Sequence, residues 1–291
     1  MLKEWPLVAF TIMGQTAVGA FVVFHLPFLF RGRLQSGGWR ATWLITLTLV
    51  IVLTALAAAV SFFHLRHPLR ARFVLSNLRN SWLSREILFE LAFIALVALE
   101  GWLAWTRSPS SGLRIGVLIA AGSAGLLFVA SMAKLYMLPA LPVWNGGYTP
   151  LSFFLTTFVL GALGTELIVR SVAGPGAFDL DLAKISLILV VTEIGLAASL
   201  APGQGLFGVR PGRSLRPEDG SPRLLHPARI ALLAAGAVCL GLDMATGGNA
   251  IMNERGAGPA LLLGSGLILA GEVAGRLHFY GLVPRPGERP S

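Results

Sequence analysis

The sequence predicts an all-α integral-membrane protein: a bundle of eight transmembrane helices with both termini on the same side. Three observations predict it. The 291 residues are 55% hydrophobic and 13% charged, with mean hydropathy +0.73, whereas a soluble domain carries about a quarter charged residues. Eight apolar runs, each long enough to cross a hydrocarbon core about 30 Å thick, lie at roughly 5–29, 41–63, 84–106, 113–138, 150–172, 180–202, 228–246 and 258–281. These runs lack the every-other-residue alternation of a membrane barrel. Lipid offers no partner to exposed backbone groups, so helices remain. The connections are short, which makes residues 1–291 one integral-membrane domain.

An even number of spans returns the chain to its starting side, here called end A; the other side is end B. The first span is too long for a cleavable signal, and no small-residue cleavage site follows it, so it stays in the mature chain. It carries His25 near end B. The second span runs toward His64, where a basic loop begins at end A. The third carries Glu86, Glu90 and Glu100. At 100° per residue all three fall on one stripe roughly 80° wide. An ionised residue near the bilayer centre costs about 2.5–3.5 kcal/mol on insertion scales. Such a group is retained where it pairs or where it moves protons. Glu86 also has a plainer reading, as an acid in a helix first turn that complements the dipole behind a cap at Ser84.

The fourth span ends at end A with Lys134 and Tyr136, and Trp144 and Tyr148 flank the entry to the fifth. The sixth holds Glu193, and the seventh holds Cys239 and Asp243. The eighth places Gly264, Gly271 and Gly275 on one face, a small-residue stripe suited to close helix packing. Glu272 and Arg276 therefore face protein and form an acid-to-base pair at i, i+4.

The net charge is +9. Assigning the 23 basic residues by span parity puts 15 at end A and 8 at end B. The positive-inside rule then makes end A cytoplasmic, although a face that docks an acidic soluble subunit would be equally basic. No basic stripe with interleaved aromatics suggests nucleic acid; lipid headgroups or an acidic partner fit better. A single cysteine excludes disulfides and cysteine-ligated iron–sulfur clusters within the chain. Any clusters belong to another subunit. "GQGLFG" at 203–208 matches a dinucleotide-binding pattern but follows a membrane span rather than a strand, so it reads as a loop. Among the histidines only His64 and His278 match in depth within spans, which leaves little support for haem.

Polar side chains gather at end A: His64, Arg70, Glu86, Glu90, Lys134, Tyr136, Trp144, Tyr148, Arg276 and Tyr280. Tyr and Trp alone would be an interfacial belt. The histidine, glutamates and arginines among them suggest a lateral pocket at one interface.

These residues lie within segments that resemble the membrane-anchor subunit of the dimethyl sulfoxide reductase type of molybdenum enzyme. "EWPLVAFTIMGQ" at 4–15 is similar to that family's N-terminal signature. "HLRHPLRA" at 64–71 resembles its H-L-G-x-P-x-R-A loop, with Arg66 in place of glycine, and "LSREI" at 83–87 resembles L-S-x-E-I. "YTPLSFFLTTF" at 148–158 and "AGEVAGRLHFYGL" at 270–282 resemble the fifth- and eighth-span signatures. The resemblance implies an anchor without haem in a bacterial or archaeal cytoplasmic membrane. It implies that the anchor holds a molybdopterin catalytic subunit and a four-cluster ferredoxin-like iron–sulfur subunit, oxidises menaquinol and passes electrons to the nearest cluster. His64 and Glu86 fall on the family's quinol-site histidine and glutamate.

On that reading Glu86 and His64 are the catalytic pair, each serving one quinol hydroxyl. Arg70, Tyr136, Arg276 and Tyr280 complete the quinol site. Arg66, Pro68, Arg70, Arg72 and Arg79 dock the iron–sulfur partner. Three rivals remain open. One is an anchor of the same chemistry serving a polysulfide, selenate, tetrathionate or arsenic oxidoreductase. Another is a secondary transporter using Glu100, Glu193 and Glu272 as coupling sites, and the third is a purely structural anchor.

Overall fold

The computed structural model describes residues 5–31, 39–62, 77–106, 111–139, 141, 144–174, 181–199, 221–246 and 257–282. Among them are eight long helices and no strand: α1 (Trp5–Arg31), α2 (Trp39–Phe62), α3 (Trp82–Trp105), α4 (Ser111–Tyr136), α5 (Tyr148–Val172), α6 (Leu182–Ser199), α7 (Ser221–Ala245) and α8 (Pro259–Gly281). All eight are long and apolar enough to span a membrane, so the protein is a multi-pass membrane protein.

Most helix ends fall within three residues of the sequence reading, and two points differ for local reasons. The cap of α3 is Ser81, whose side chain accepts from the Ser84 backbone N–H at 3.2 Å. Ser84 lies inside the helix and is buried. Glu86 therefore sits beyond the first turn, which removes the dipole-complement explanation for it. Helix α7 begins at Ser221, seven residues before the hydropathy run, and takes in His226 and Pro227. Hydropathy marks where a helix meets lipid, whereas backbone hydrogen bonds start wherever the backbone is free to close them. The "GQGLFG" segment lies outside the described residues.

Helices α1 and α5 form the centre; 72% of the α5 span window is buried in the bundle, against 28% for α2, α3 and α7. The two central helices touch through glycine. A Cβ on Gly19 would stand 1.9 Å from the Thr157 carbonyl oxygen, and one on Gly161 would stand 2.2 Å from the Gly19 carbonyl carbon. Inside a membrane, helix association rests on such close approach because burial of apolar surface gives no advantage over lipid. Threonines turn their hydroxyls back onto the helix, as in Thr157 to the Phe153 carbonyl at 2.8 Å and Thr54 to the Val50 carbonyl at 2.7 Å. That leaves no hydroxyl donor of these threonines unpaired in the apolar interior.

The glycine stripe of α8 packs on α7. Gly264 meets Gly236 and Cys239, Gly271 meets Leu233, and Gly275 meets the Arg229 side chain. Fully buried Phe21, Phe24, Phe93, Phe128 and Phe153 fill the rest of the core, with Phe21 and Phe93 edge-to-face at 5.5 Å. The N-terminus of α8 is set by Gly258 in an extended conformation followed by Pro259 at the first helical position.

Candidate functional site

The α3 stripe faces protein. Glu86 and Glu90 are 3% and 4% exposed and Glu100 is fully buried. At the start of α3, Arg85 folds back. Its Nε donates to the Leu78 carbonyl at 2.9 Å and its Nη2 to the Arg79 carbonyl at 2.6 Å, while its guanidinium lies over Trp82 at 4.3 Å. This pins the connection just ahead of α3, and Arg79 itself is exposed beside it.

Within electrostatic range of Glu86 is an aromatic wall built by α4, α5 and α8. The rings of Tyr136 and Tyr280 are 5.3 Å apart, and Tyr136 also meets Trp144 at 5.6 Å and Phe279 at 5.6 Å. Trp144 stacks on Phe279 at 5.1 Å and donates its indole N–H to the Phe279 carbonyl at 3.1 Å. The Tyr280 hydroxyl reaches Thr11 at 3.5 Å. Glu86 is within electrostatic range of Glu90, Tyr136 and Tyr280. One carboxylate oxygen of Glu86 (Oε2) and one of Glu90 (Oε1) are buried without a hydrogen-bond partner among the described residues.

Behind this wall lies Arg276, 3% exposed. Its guanidinium sits 3.8 Å over the Phe153 ring. Its Nη2 donates to Gln15 at 3.2 Å, to Thr156 at 3.2 Å and to the Ser152 carbonyl at 3.5 Å. The expected direct pair with Glu272 is replaced by a bridge. Thr156 accepts from Arg276 and donates to Glu272 at 2.9 Å, because α5 and α7 approach the acid more closely than its own helix neighbour does. Glu272 is also 3.5 Å from Arg229, and Arg229 binds Glu193 at 2.5 Å and the Tyr148 hydroxyl at 3.2 Å. Two acids and two arginines are thus tied across α5, α6, α7 and α8.

Arg229, one of the 15 basic residues that span parity puts at end A, is a buried member of this network, 5% exposed. Sequence reasoning missed it because the hydropathy run appeared to start at its doorstep. It also missed Gln15, Ser152 and Thr156, although the first lies in the N-terminal signature segment and the other two in the fifth-span segment. Toward end B, Glu100 receives Arg114 at 2.6 Å, and Arg170 bridges Glu166 at 2.5 Å and Asp243 at 2.8 Å. The depth-matched histidines among the described residues are His226 and His278, whose rings are 5.2 Å apart.

Of the residues expected at the quinol site, Glu86, Tyr136, Arg276 and Tyr280 come together, with Arg276 set behind the aromatic wall. His64, Arg66, Pro68, Arg70 and Arg72 lie outside the described residues. The described residues contain no group of three or more His, Cys, Asp or Glu side chains suited to a metal ion.

Comparison with known proteins gives a consistent result along the whole sequence. The family described as DMSO reductase anchor subunit (DmsC) matches residues 1–282. The C chain of the anaerobic dimethyl sulfoxide reductase of Escherichia coli K12 is 32% identical over 284 residues, covering 96% of this protein and 94% of its own length. The anaerobic dimethyl sulfoxide reductase chain YnfH of the same organism is 30% identical with the same coverage. The corresponding anaerobic dimethyl sulfoxide reductase protein of Haemophilus influenzae is 32% identical over 162 residues, covering 56% of this protein and 57% of its own length. No solved structure matches. An eight-helix membrane bundle with this span of similarity belongs to the DMSO reductase anchor subunit family.

Proposed function

We propose that this protein is the quinol-oxidising anchor of a dimethyl sulfoxide reductase-like molybdoenzyme, working in anaerobic respiration at a bacterial or archaeal cytoplasmic membrane. Menaquinol is the substrate. Its headgroup lies at end A between α3 and the aromatic wall of α4 and α8. The observation that carries the reading is the Glu86 carboxylate, buried at the start of a membrane helix with Oε2 unpartnered among the described residues and two tyrosines within electrostatic range.

A quinol carries two hydroxyl donors and an apolar ring. The unpartnered Oε2 accepts the hydrogen bond of one hydroxyl and then its proton. His64 serves the other hydroxyl. Tyr136 and Tyr280 supply flat apolar faces with polar tips, and Arg276, committed to Gln15 and Thr156, holds α8 and its tyrosine in register. Each quinol releases two protons and two electrons. The electrons pass one at a time to the nearest cluster of a four-cluster iron–sulfur subunit, which serves a molybdopterin subunit. Arg66, Pro68, Arg70, Arg72 and Arg79 dock that partner beside the α3 N-terminus.

The test is a fluorescence titration of a quinol-analogue inhibitor against membranes holding the intact complex, with Glu86→Gln and His64→Ala beside wild type. Saturable binding that disappears in both variants is the expected result. Binding unchanged in both would move the site elsewhere, and no binding to wild type would leave a structural anchor.

A further inference from the structure

The buried acids of this bundle divide sharply by partner. Glu100, Glu166, Glu193, Glu272 and Asp243 each lie within ion-pair distance of an arginine. Glu86 and Glu90 are the buried acids that have no such partner among the described residues. They are one turn apart on the same helix face, and each, like Glu100, Glu193 and Glu272, has a buried carboxylate oxygen without a hydrogen-bond partner among the described residues. Within electrostatic range of Glu86 are Tyr136 and Tyr280, which are donors and acceptors but not cations. A neutralised acid has a structural use and needs no further account. Two neighbouring carboxyls without a counter-charge in a low-dielectric site are costly if both are ionised. Such a pair is suited to take up and give back one proton.

We propose that Glu90 is the second carboxyl of the proton-accepting pair, the group to which Glu86 passes the quinol proton. This rests on the quinol-site reading above and extends it one turn deeper into α3. In the first half-reaction one quinol O–H bond breaks. Its proton bonds to Glu86, its electron goes to the partner's iron–sulfur cluster, and the ring becomes a semiquinone. Glu90, which holds the pair's single proton while Glu86 is ionised, gives that proton up to the aqueous side at end A and takes the new one from Glu86, directly or through one water. Glu86 is again a carboxylate when the second electron leaves. Where Glu86 touches the substrate, Glu90 acts through Glu86 and sets how often the site can be reused.

The experiment uses membranes carrying the intact complex, a soluble naphthoquinol as donor, and Glu90→Gln and Glu90→Asp beside wild type and Glu86→Gln. Glu90→Gln is expected to bind the fluorescent quinol analogue as wild type does. It should turn over at least about tenfold more slowly, the low end for loss of a proton-transfer group being about 10²-fold when the group touches substrate. Its solvent deuterium isotope effect should rise, because proton transfer becomes limiting. Glu90→Asp, which restores a carboxyl, should recover most of the rate. Wild-type turnover with an unchanged isotope effect in Glu90→Gln would overturn the role of Glu90 alone, provided Glu86→Gln is inactive. Wild-type turnover in Glu86→Gln as well would overturn the quinol site itself. If Glu90→Gln does not assemble, infrared difference spectra of wild type on quinol oxidation decide the matter. Two carboxyl bands, one of them lost in Glu86→Gln, support the pair, and a single band sinks it.

Discussion

Glu86 and Glu90 on α3, and Glu193 and Glu272 on α6 and α8, are buried at similar depth, about 6–14 Å from the end-A termini of their helices by helical rise. Neither of the first two pairs with a described cation, and Glu86 lies within electrostatic range of two tyrosines; the second two share Arg229, and Glu272 is bridged to Arg276 through Thr156. Burial in the membrane is common to both sets, so burial by itself does not mark function. The pairing does. An acid tied to an arginine from another helix fixes how those helices sit, whereas an acid left without one keeps a site for a proton or a hydroxyl. The secondary-transporter reading relied on Glu100, Glu193 and Glu272, all three of which are tied to arginine.

The comparison can be broken at its strongest point first. Glu86→Gln keeps shape and removes the proton acceptor, so quinol-dependent turnover should fall by about 10²–10⁴-fold while the complex still assembles. An assay of naphthoquinol oxidation in membranes checks it, and a wild-type rate would remove the contrast altogether. Next in size is Arg229→Leu, which strands two buried acids and should cost about 3–5 kcal/mol. It should be seen as a lower unfolding temperature of the detergent-extracted protein with little direct effect on inhibitor affinity. Replacing Glu193 and Arg229 together by leucine should restore most of that loss, because Glu272 then stays tied to Arg276 through Thr156. An equally unstable double variant would show that the network is more than a tie.

Smaller still is Gly161→Ala. The added Cβ meets Gly19 backbone, and overpacking of this kind costs about 1–3 kcal/mol, read in the same unfolding experiment. By helical rise the central contact lies about 13 Å deeper than Glu86, so inhibitor affinity should stay within about twofold, a change worth less than about 0.5 kcal/mol. Last is Trp144→Phe, which deletes the hydrogen bond to the Phe279 carbonyl and should cost about 0.5–1.5 kcal/mol. Because the Phe279 and Tyr136 rings lean on that indole, inhibitor binding should weaken slightly more than stability falls.

Much of this was legible in the linear sequence. Helix count follows from hydropathy because lipid enforces long uninterrupted apolar runs. The α8 glycine face could be read because helical periodicity alone puts Gly264, Gly271 and Gly275 in line. The α3 acid stripe could be read for the same reason. The partner of Glu272 could not. Its helix neighbour Arg276 was the local choice, and Thr156 and Arg229 displaced it from α5 and α7, which are remote in sequence. Arg229 looked like a loop charge, since a hydropathy window is blind to a helix that begins in polar residues.

The sequence by itself determined the eight spans, the shared side of the termini, the family and the face of α3 that carries its acids. All of these depend on periodicity or on order along the polypeptide. Only the tertiary structure decided which buried acids are neutralised by an arginine among the described residues, that α1 and α5 meet glycine to glycine at the centre, and that Tyr136 and Tyr280 come within electrostatic range of Glu86. Those outcomes depend on distances between helices remote in sequence, and a charge has no fixed meaning until its nearest opposite charge has a position.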